Sequence, residues 1–92
     1  MIKFQRITTK DATLYNYMEQ LMTASFPSEE YRPLEELRNY TDTKTHFYCN
    51  IILHHDTPVG FITYWDFGHF YYVEHFAIDP SLRNGGHGKN VL

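Results

Sequence analysis

Glycines at positions 85, 86 and 88, an arginine at 83 and a glutamate at 74 are the residues of this chain whose types and spacing can do chemistry. In the run Arg83-Asn84-Gly85-Gly86-His87-Gly88-Lys89, three of the four positions from 85 to 88 lack a Cβ. The backbone there can take left-handed angles and let an anion come close to its N–H groups. A helix opening at about His87 would aim its first unpaired N–H groups, and the positive end of its dipole, at the same anion. Arg83 stands at the loop entrance, where it adds a charge-assisted contact. This is the chemistry of a phosphate cradle. Two familiar nucleotide motifs fit it badly. A Walker loop ending at Gly88-Lys89 needs glycine where Arg83 stands and Ser or Thr where Asn90 stands, and a dinucleotide fingerprint from Gly86 needs Gly or Ala at Val91.

Glu74 is the second chemical candidate. A strand from Phe70 to Ile78 puts Tyr72, Glu74, Phe76 and Ile78 on one face and Tyr71, Val73, His75 and Ala77 on the other. Aromatic and aliphatic neighbours then flank Glu74, and desolvation is expected to raise its pKa toward the range useful for proton abstraction. Carboxylates are uncommon in sheet centres, which favours a functional role over a glutamate satisfied by a backbone or tyrosine partner. His75, adjacent but facing away, is the alternative base.

The six residues Arg83-Asn84-Gly85-Gly86-His87-Gly88 read Arg-x-x-Gly-x-Gly, directly after a strand ending Phe76-Ala77-Ile78-Asp79-Pro80. Joined to Glu74 four residues before Ile78, this resembles the acetyl-CoA-binding signature of the GNAT superfamily of N-acetyltransferases. The resemblance implies that the backbone of Arg83, Asn84, Gly85, Gly86, His87, Gly88 and Lys89 binds the CoA pyrophosphate. It also implies that Phe76, Ala77 and Ile78 hydrogen-bond the pantetheine arm through their main chain. The implied reaction is direct attack of a primary amine on the thioester of acetyl-CoA as cosubstrate, with Glu74 as general base and no metal. A main-chain N–H near Phe76 or Ile78 would polarise the thioester carbonyl. The tyrosine that many members use as general acid would fall beyond Leu92, and none of the eight tyrosines here takes that role.

The elements that must position these residues follow from periodicity. Ile2 to Ile7 is a short strand with near-alternating polarity, and Thr8-Thr9-Lys10-Asp11 supplies N-cap candidates. Leu14, Tyr17, Met18, Leu21 and Met22 form one apolar face of a helix that Phe26-Pro27 ends. A second helix opens near Pro33 and carries Leu34, Leu37 and Tyr40 inward. Phe47–Leu53 and Val59–Trp65 read as strands around a turn at residues 55–58, and Asp66-Phe67-Gly68-His69 turns into the long strand. The expected class is α/β (α+β), a truncated GNAT-like acyl-CoA N-acyltransferase fold. Its order is β-α-α-β-β-β with a mainly antiparallel sheet, followed by the pyrophosphate loop and the start of helix 3. Residues 1–92 are read as a single partial domain lacking the C-terminal half of the fold, and the 92-residue chain by itself is expected to be inactive.

Composition closes off other classes. A net charge of −3 and a sequence pI near 6.0 give no electrostatic case for nucleic acid or an anionic membrane, and 42% hydrophobic content argues for a real core. One cysteine, Cys49, forbids an intramolecular disulfide and suits a reducing, cytoplasmic setting. Cys49 reads as a small core residue and not a nucleophile. The histidines lack converging ligands for a metal, since His54 and His55 point to opposite faces if their strand continues. Glu29, Glu30, Glu35 and Glu36 read as a solvated surface, with an acidic rim for an amine as the functional alternative. The acceptor is a small-molecule or peptide amine. Two other classes stay open: a non-catalytic acyl-CoA sensor indifferent to Glu74, and an interaction protein, such as a homodimer, pairing through an open sheet edge.

Overall fold

The computed structural model describes residues 1–81. The helical spacing after Asp11 produces α1 (Ala12–Ser25), whose buried side chains are Tyr15, Met18, Leu21 and Met22. Leu14 and Tyr17 pack at the margin of the core, so the buried stripe takes in Tyr15, which the expected face left out. Asp11 stands at the N-cap without a side-chain cap bond. Its Oδ2 instead accepts the Thr8 N–H at 2.9 Å, closing the turn that leads in from β1 (Ile2–Arg6). Phe26 ends α1 in an extended conformation, φ −132°, as a residue before proline prefers. A 3-10 turn at Ser28–Glu30 follows. Pro33 then stands at the N-cap of α2 (Leu34–Thr43), which buries Leu37 and Thr41. On the surface, Arg38 ties α2 to α1 by donating from Nε and Nη2 to the two Glu19 oxygens, each at 2.9 Å.

The remaining strands are β2 (Phe47–His54), β3 (Thr57–Asp66) and β4 (Tyr71–Ile78). They form with β1 an antiparallel sheet in the order β1-β2-β3-β4, the meander expected from the short connections. His55 and Asp56 join β2 to β3 with φ of 50° and 66°, the doubly left-handed two-residue turn whose twist matches that of the strands.

Alternation then sorts the sheet into two faces. Phe47, Cys49, Ile51 and Leu53 of β2, with Phe61 and Ala77, pack against Met18, Leu21 and Met22 of α1 in one core. Burial pushes the Cys49 thiol up to about 12, so it stays protonated and packs as a small apolar group. On the opposite face Ile52, Val59 and Ile78 form a smaller cluster, while Phe4, Tyr71, Val73 and Phe76 stand largely exposed. Both helices therefore lie on one side, and the site lies at the end of that side where β3 meets β4.

Gly60 sets how closely those two strands approach. A Cβ there would sit 2.4 Å from the Ala77 carbonyl oxygen and 3.2 Å from the Ile78 Cα, both backbone atoms that cannot swing aside. Gly60→Ala is expected to destabilise the protein by about 1–3 kcal/mol, the usual cost of overpacking. Asp56→Gly, which relieves a left-handed side-chain residue, should stabilise by about 1 kcal/mol. Urea midpoints measure both, and a Gly60→Ala midpoint equal to wild type would contradict the close approach.

Candidate functional site

β3 and β4 pair residue for residue from Gly60↔Ile78 to Thr63↔His75, and then Tyr64 pairs with Val73. Glu74 is thus the extra residue of a β-bulge, which bends the strand and re-aims a side chain. Strict alternation from Tyr71 to Ile78, the expectation from sequence, fails at this point. Tyr71 and Val73 line the open face with Phe4, Ile62 and Tyr64, and Ile78 joins Ile52 and Val59 there. Tyr72, Glu74 and His75 instead line one cavity on the helical side. His75 was expected to face away from Glu74; the bulge turns it to the same side.

Glu74 is not surrounded by apolar groups either. Arg32, from the segment between α1 and α2, donates from Nε to Oε1 at 3.3 Å and from Nη2 to Oε2 at 2.6 Å. Trp65 of β3 donates its indole N–H to Oε2 at 2.8 Å. Only 10% of the Glu74 side chain is exposed, so burial pushes its pKa up, but the Arg32 and Trp65 hydrogen bonds and the Arg32 charge outweigh burial and hold it below the usual carboxylate value. The expected upward shift is therefore reversed. Desolvation was foreseen, whereas a guanidinium arriving from 42 residues away in the chain was not.

Both donors are themselves held. The Arg32 guanidinium lies 4.6 Å from the Tyr40 ring centroid and 3.6 Å from Glu36 Oε2. The Trp65 ring packs against Phe47 at 5.0 Å and edge-on to Tyr40 at 5.8 Å. Arg32 and Trp65 carried no sequence signal of their own. An arginine four residues before a glutamate reads as a surface helix pair, and a tryptophan at a strand end reads as core.

The cavity beside Glu74 has a volume of about 300 Å³ and is lined by Glu29, Glu30, Tyr31, Arg32, Tyr72, Glu74 and His75. Glu29 and Glu30 are thus both solvated and on the rim of a cavity, while the other two acids, Glu35 and Glu36, belong to the exposed first turn of α2. His75 lies under the rim. Its Nε2 lies 2.7 Å from the Glu30 carbonyl oxygen and its ring meets Phe26 edge-on at 4.9 Å. A carbonyl only accepts, so Nε2 carries the proton and Nδ1 the lone pair. That Nδ1 is buried and without a hydrogen-bond partner among the described residues, so it is not presented to a group in the cavity as the Glu74 carboxylate is. His54 and His55 do not diverge as a continuing strand would make them. The turn brings their rings to 4.3 Å.

Of the residues assigned to the CoA arm, Ala77 and Ile78 are buried and Phe76 is half exposed. Asp79 donates its N–H inward to the Val59 carbonyl at 2.8 Å, and alternation along an antiparallel pair sends the Phe76 N–H to the outer edge of β4. The strand ends as expected before Asp79-Pro80. Asp79 Oδ1 accepts the Ser81 N–H at 3.0 Å, and its Oδ2 accepts the Tyr17 hydroxyl at 3.3 Å. Burial and the Asp79 charge raise the Tyr17 pKa, which keeps that hydroxyl a donor. Arg83, Asn84, Gly85, Gly86, His87, Gly88 and Lys89 lie outside the described residues.

The family model of the Acetyltransferase (GNAT) family matches residues 12–92. Among solved structures, the chain is similar to a candidate acetyltransferase from the GNAT family of Bacteroides thetaiotaomicron, with 61% identity and a TM-score of 0.90. The alignment covers 97% of this chain and 51% of that one, so the chain spans about half the length of its relative. No curated protein matches. Among the described residues, no helix is long and apolar enough to cross a membrane.

The direction of the Glu74 shift fixes a pH dependence. A carboxylate whose folded pKa is depressed contributes stability that is fully present above its unfolded value of about 4.3 and is lost as pH falls through the folded value. Trp65 is the only tryptophan and donates to Glu74, so its emission should titrate below the ordinary glutamate range. Arg32→Gln should move that transition to higher pH and cost about 1–2 kcal/mol, between an exposed and a fully buried pair. A Trp65 transition unmoved by Arg32→Gln would contradict the assignment.

Proposed function

The chain belongs to the GNAT acetyltransferase family, and from that premise we propose that it serves the transfer of an acetyl group from acetyl-CoA to a primary amine, with Glu74 accepting the amine proton. The observation that carries this reading is the bulge. It aims one ionised, hydrogen-bonded carboxylate into an open cavity beside the strand edge that would bind the acyl donor. Acetyl-CoA supplies an activated acyl carbon and a thiolate leaving group.

The residues then divide the work. Arg32 and Trp65 direct three hydrogen bonds to the carboxylate, which keep it ionised and oriented toward the cavity. A carboxylate of depressed pKa cannot take a proton from a free alkylammonium, whose pKa is about 10. The acceptor therefore attacks as the neutral amine, its ammonium proton having gone to solvent; as the nitrogen bonds to the acyl carbon its remaining N–H grows acidic, Glu74 receives that proton, and the CoA thiolate leaves. In this reading the outward N–H of Phe76 polarises the acyl oxygen, the kind of term that weighs most in acyl transfer. Glu29 and Glu30 on the rim favour a cationic acceptor. The buried, protonated Cys49 thiol argues against an acyl-enzyme route. A lone cysteine suits the reducing conditions of a cytoplasmic enzyme.

Two measurements test this. Acetyl-CoA and CoA should raise the melting temperature where ATP and NADH do not; a ligand at about a hundred times its Kd adds about 2.7 kcal/mol. Thiol release from acetyl-CoA in the presence of primary amines should fall by about 10²–10⁴ in Glu74→Gln, with the acetyl-CoA melting shift retained. No selective response to acetyl-CoA would sink the reading. A Glu74→Gln protein that keeps both the shift and all other properties of wild type would favour the acyl-CoA sensor.

A further inference from the structure

We infer that the Arg32 guanidinium holds the place at Glu74 that the ammonium of the acceptor amine takes, so that the amine enters by displacing Arg32. The inference deepens the acetyl-transfer reading and rests on it for the identity of the site. It starts from a conflict on the page. The carboxylate best placed to meet an amine already has a cation on it, at 2.6 Å, and that cation lines the same cavity.

Three features make Arg32 the partner that leaves. Its side chain is 32% exposed against 10% for Glu74, so the arginine can move into water while the glutamate stays fixed in the sheet. A second position is prepared for it. The Glu36 carboxylate lies 3.6 Å away at i+4 and the Tyr40 ring at 4.6 Å, so the guanidinium can leave Glu74 and keep both an ion pair and a cation–π contact. Trp65, by contrast, is locked between Phe47 and Tyr40 and its indole N–H remains on Oε2, keeping the carboxylate oriented through the exchange.

The cavity's other charges favour an incoming cation. Three of its lining residues are carboxylates, Glu29, Glu30 and Glu74, against the single guanidinium of Arg32. Among the described residues, neither Glu29 nor Glu30 has an ion pair within 4.0 Å. The remaining titratable neighbours are Tyr31, Tyr72 and His75, and the His75 Nε2–H is committed to Glu30 O. The exchange also has a chemical consequence. With Arg32 withdrawn, two of the three hydrogen bonds that weaken Glu74 as a base are gone, so the carboxylate becomes more basic only when an amine has arrived to use it.

Trp65 emission reads the exchange without turnover. n-Butylammonium chloride is titrated into the protein at pH 7, with sodium chloride at matched ionic strength as the blank. A saturable change in emission is expected in wild type. Its half-saturation should fall about tenfold in Arg32→Gln, where no resident cation competes, and the response should vanish in Glu74→Gln. Arg32→Lys keeps a competing charge but loses the two-point grip, and should lie between the two. It makes the same point if circular dichroism shows that Arg32→Gln does not fold. Half-saturation unchanged or raised in both Arg32 variants would overturn the exchange and leave Arg32 as scaffold. The absence of a saturable response in wild type and variants alike would overturn it too. Either failure with selective stabilisation by acetyl-CoA intact removes the exchange alone. Loss of the acetyl-CoA response with amine exchange intact removes the acetyl-transfer reading instead.

Discussion

One extra residue in β4 is the constraint on which the rest of the site depends. Without the bulge at Glu74, the residues after it would change sides. His75 and Ala77 would leave the helical face, taking with them a contact to Glu30 and a member of the main core. With it, two consecutive side chains, Glu74 and His75, look into one cavity. The bulge also bends the end of the sheet away from strict pairing. The strand can thus present a carboxylate on its face and a backbone N–H at its outer edge within a few residues, which a regular strand does less readily.

Gly60 and Ala77 show that the same region is packed to its limit. The β3 backbone approaches β4 so closely at Gly60 that there is no room for a methyl group, and the next contacts toward the site on the helical side are Phe61↔Ala77, both buried, and the buried Thr63 against the half-buried His75. A rigid, tightly registered run from Gly60 to Thr63 thus ends at the irregular step between Thr63 and Tyr64. The bulge is held by that run on one side and by the Trp65–Phe47–Tyr40 ring cluster on the other. A carboxylate supported in this way can be presented in a fixed direction although it lies near the end of the sheet.

The elements were legible in the sequence because each depends on local periodicity. The α1 face, the proline stop after Phe26 and the antiparallel meander all follow from residues close to one another in the chain. The two errors at the site have a shared physical origin. Alternation is the correct rule for a strand that pairs regularly, and nothing in Tyr71-Tyr72-Val73-Glu74-His75 marks the extra residue, since the bulge carries a glutamate and not a glycine. The sign of the Glu74 shift depended on a partner distant in sequence. Desolvation can be read from neighbours along the strand, but the Arg32 guanidinium comes from the turn before α2, and its hydrogen bonds, with that of Trp65 and its charge, reverse the direction. The Arg83-to-Gly88 motif, by contrast, is a local pattern of residue types and falls outside the described residues.

The segment between α1 and α2 is therefore more than a connection. Phe26 meets the His75 ring, the Glu30 carbonyl lies on His75 Nε2, and Arg32 holds Glu74, so three successive points of residues 26–32 are registered against two residues of the bulge. The first two contacts are an aromatic edge and a hydrogen bond to a backbone carbonyl, neither of which a substrate cation would replace. The third is an ion pair with one partner a third exposed. It is the contact most exposed to competition from another cation and, with salt, the one whose strength changes most. The roof of the cavity can thus stay anchored through Phe26 and Glu30 while Arg32 responds to what enters. In the proposed reaction, this division would locate selectivity for the acceptor in the linker and leave proton transfer to the strand.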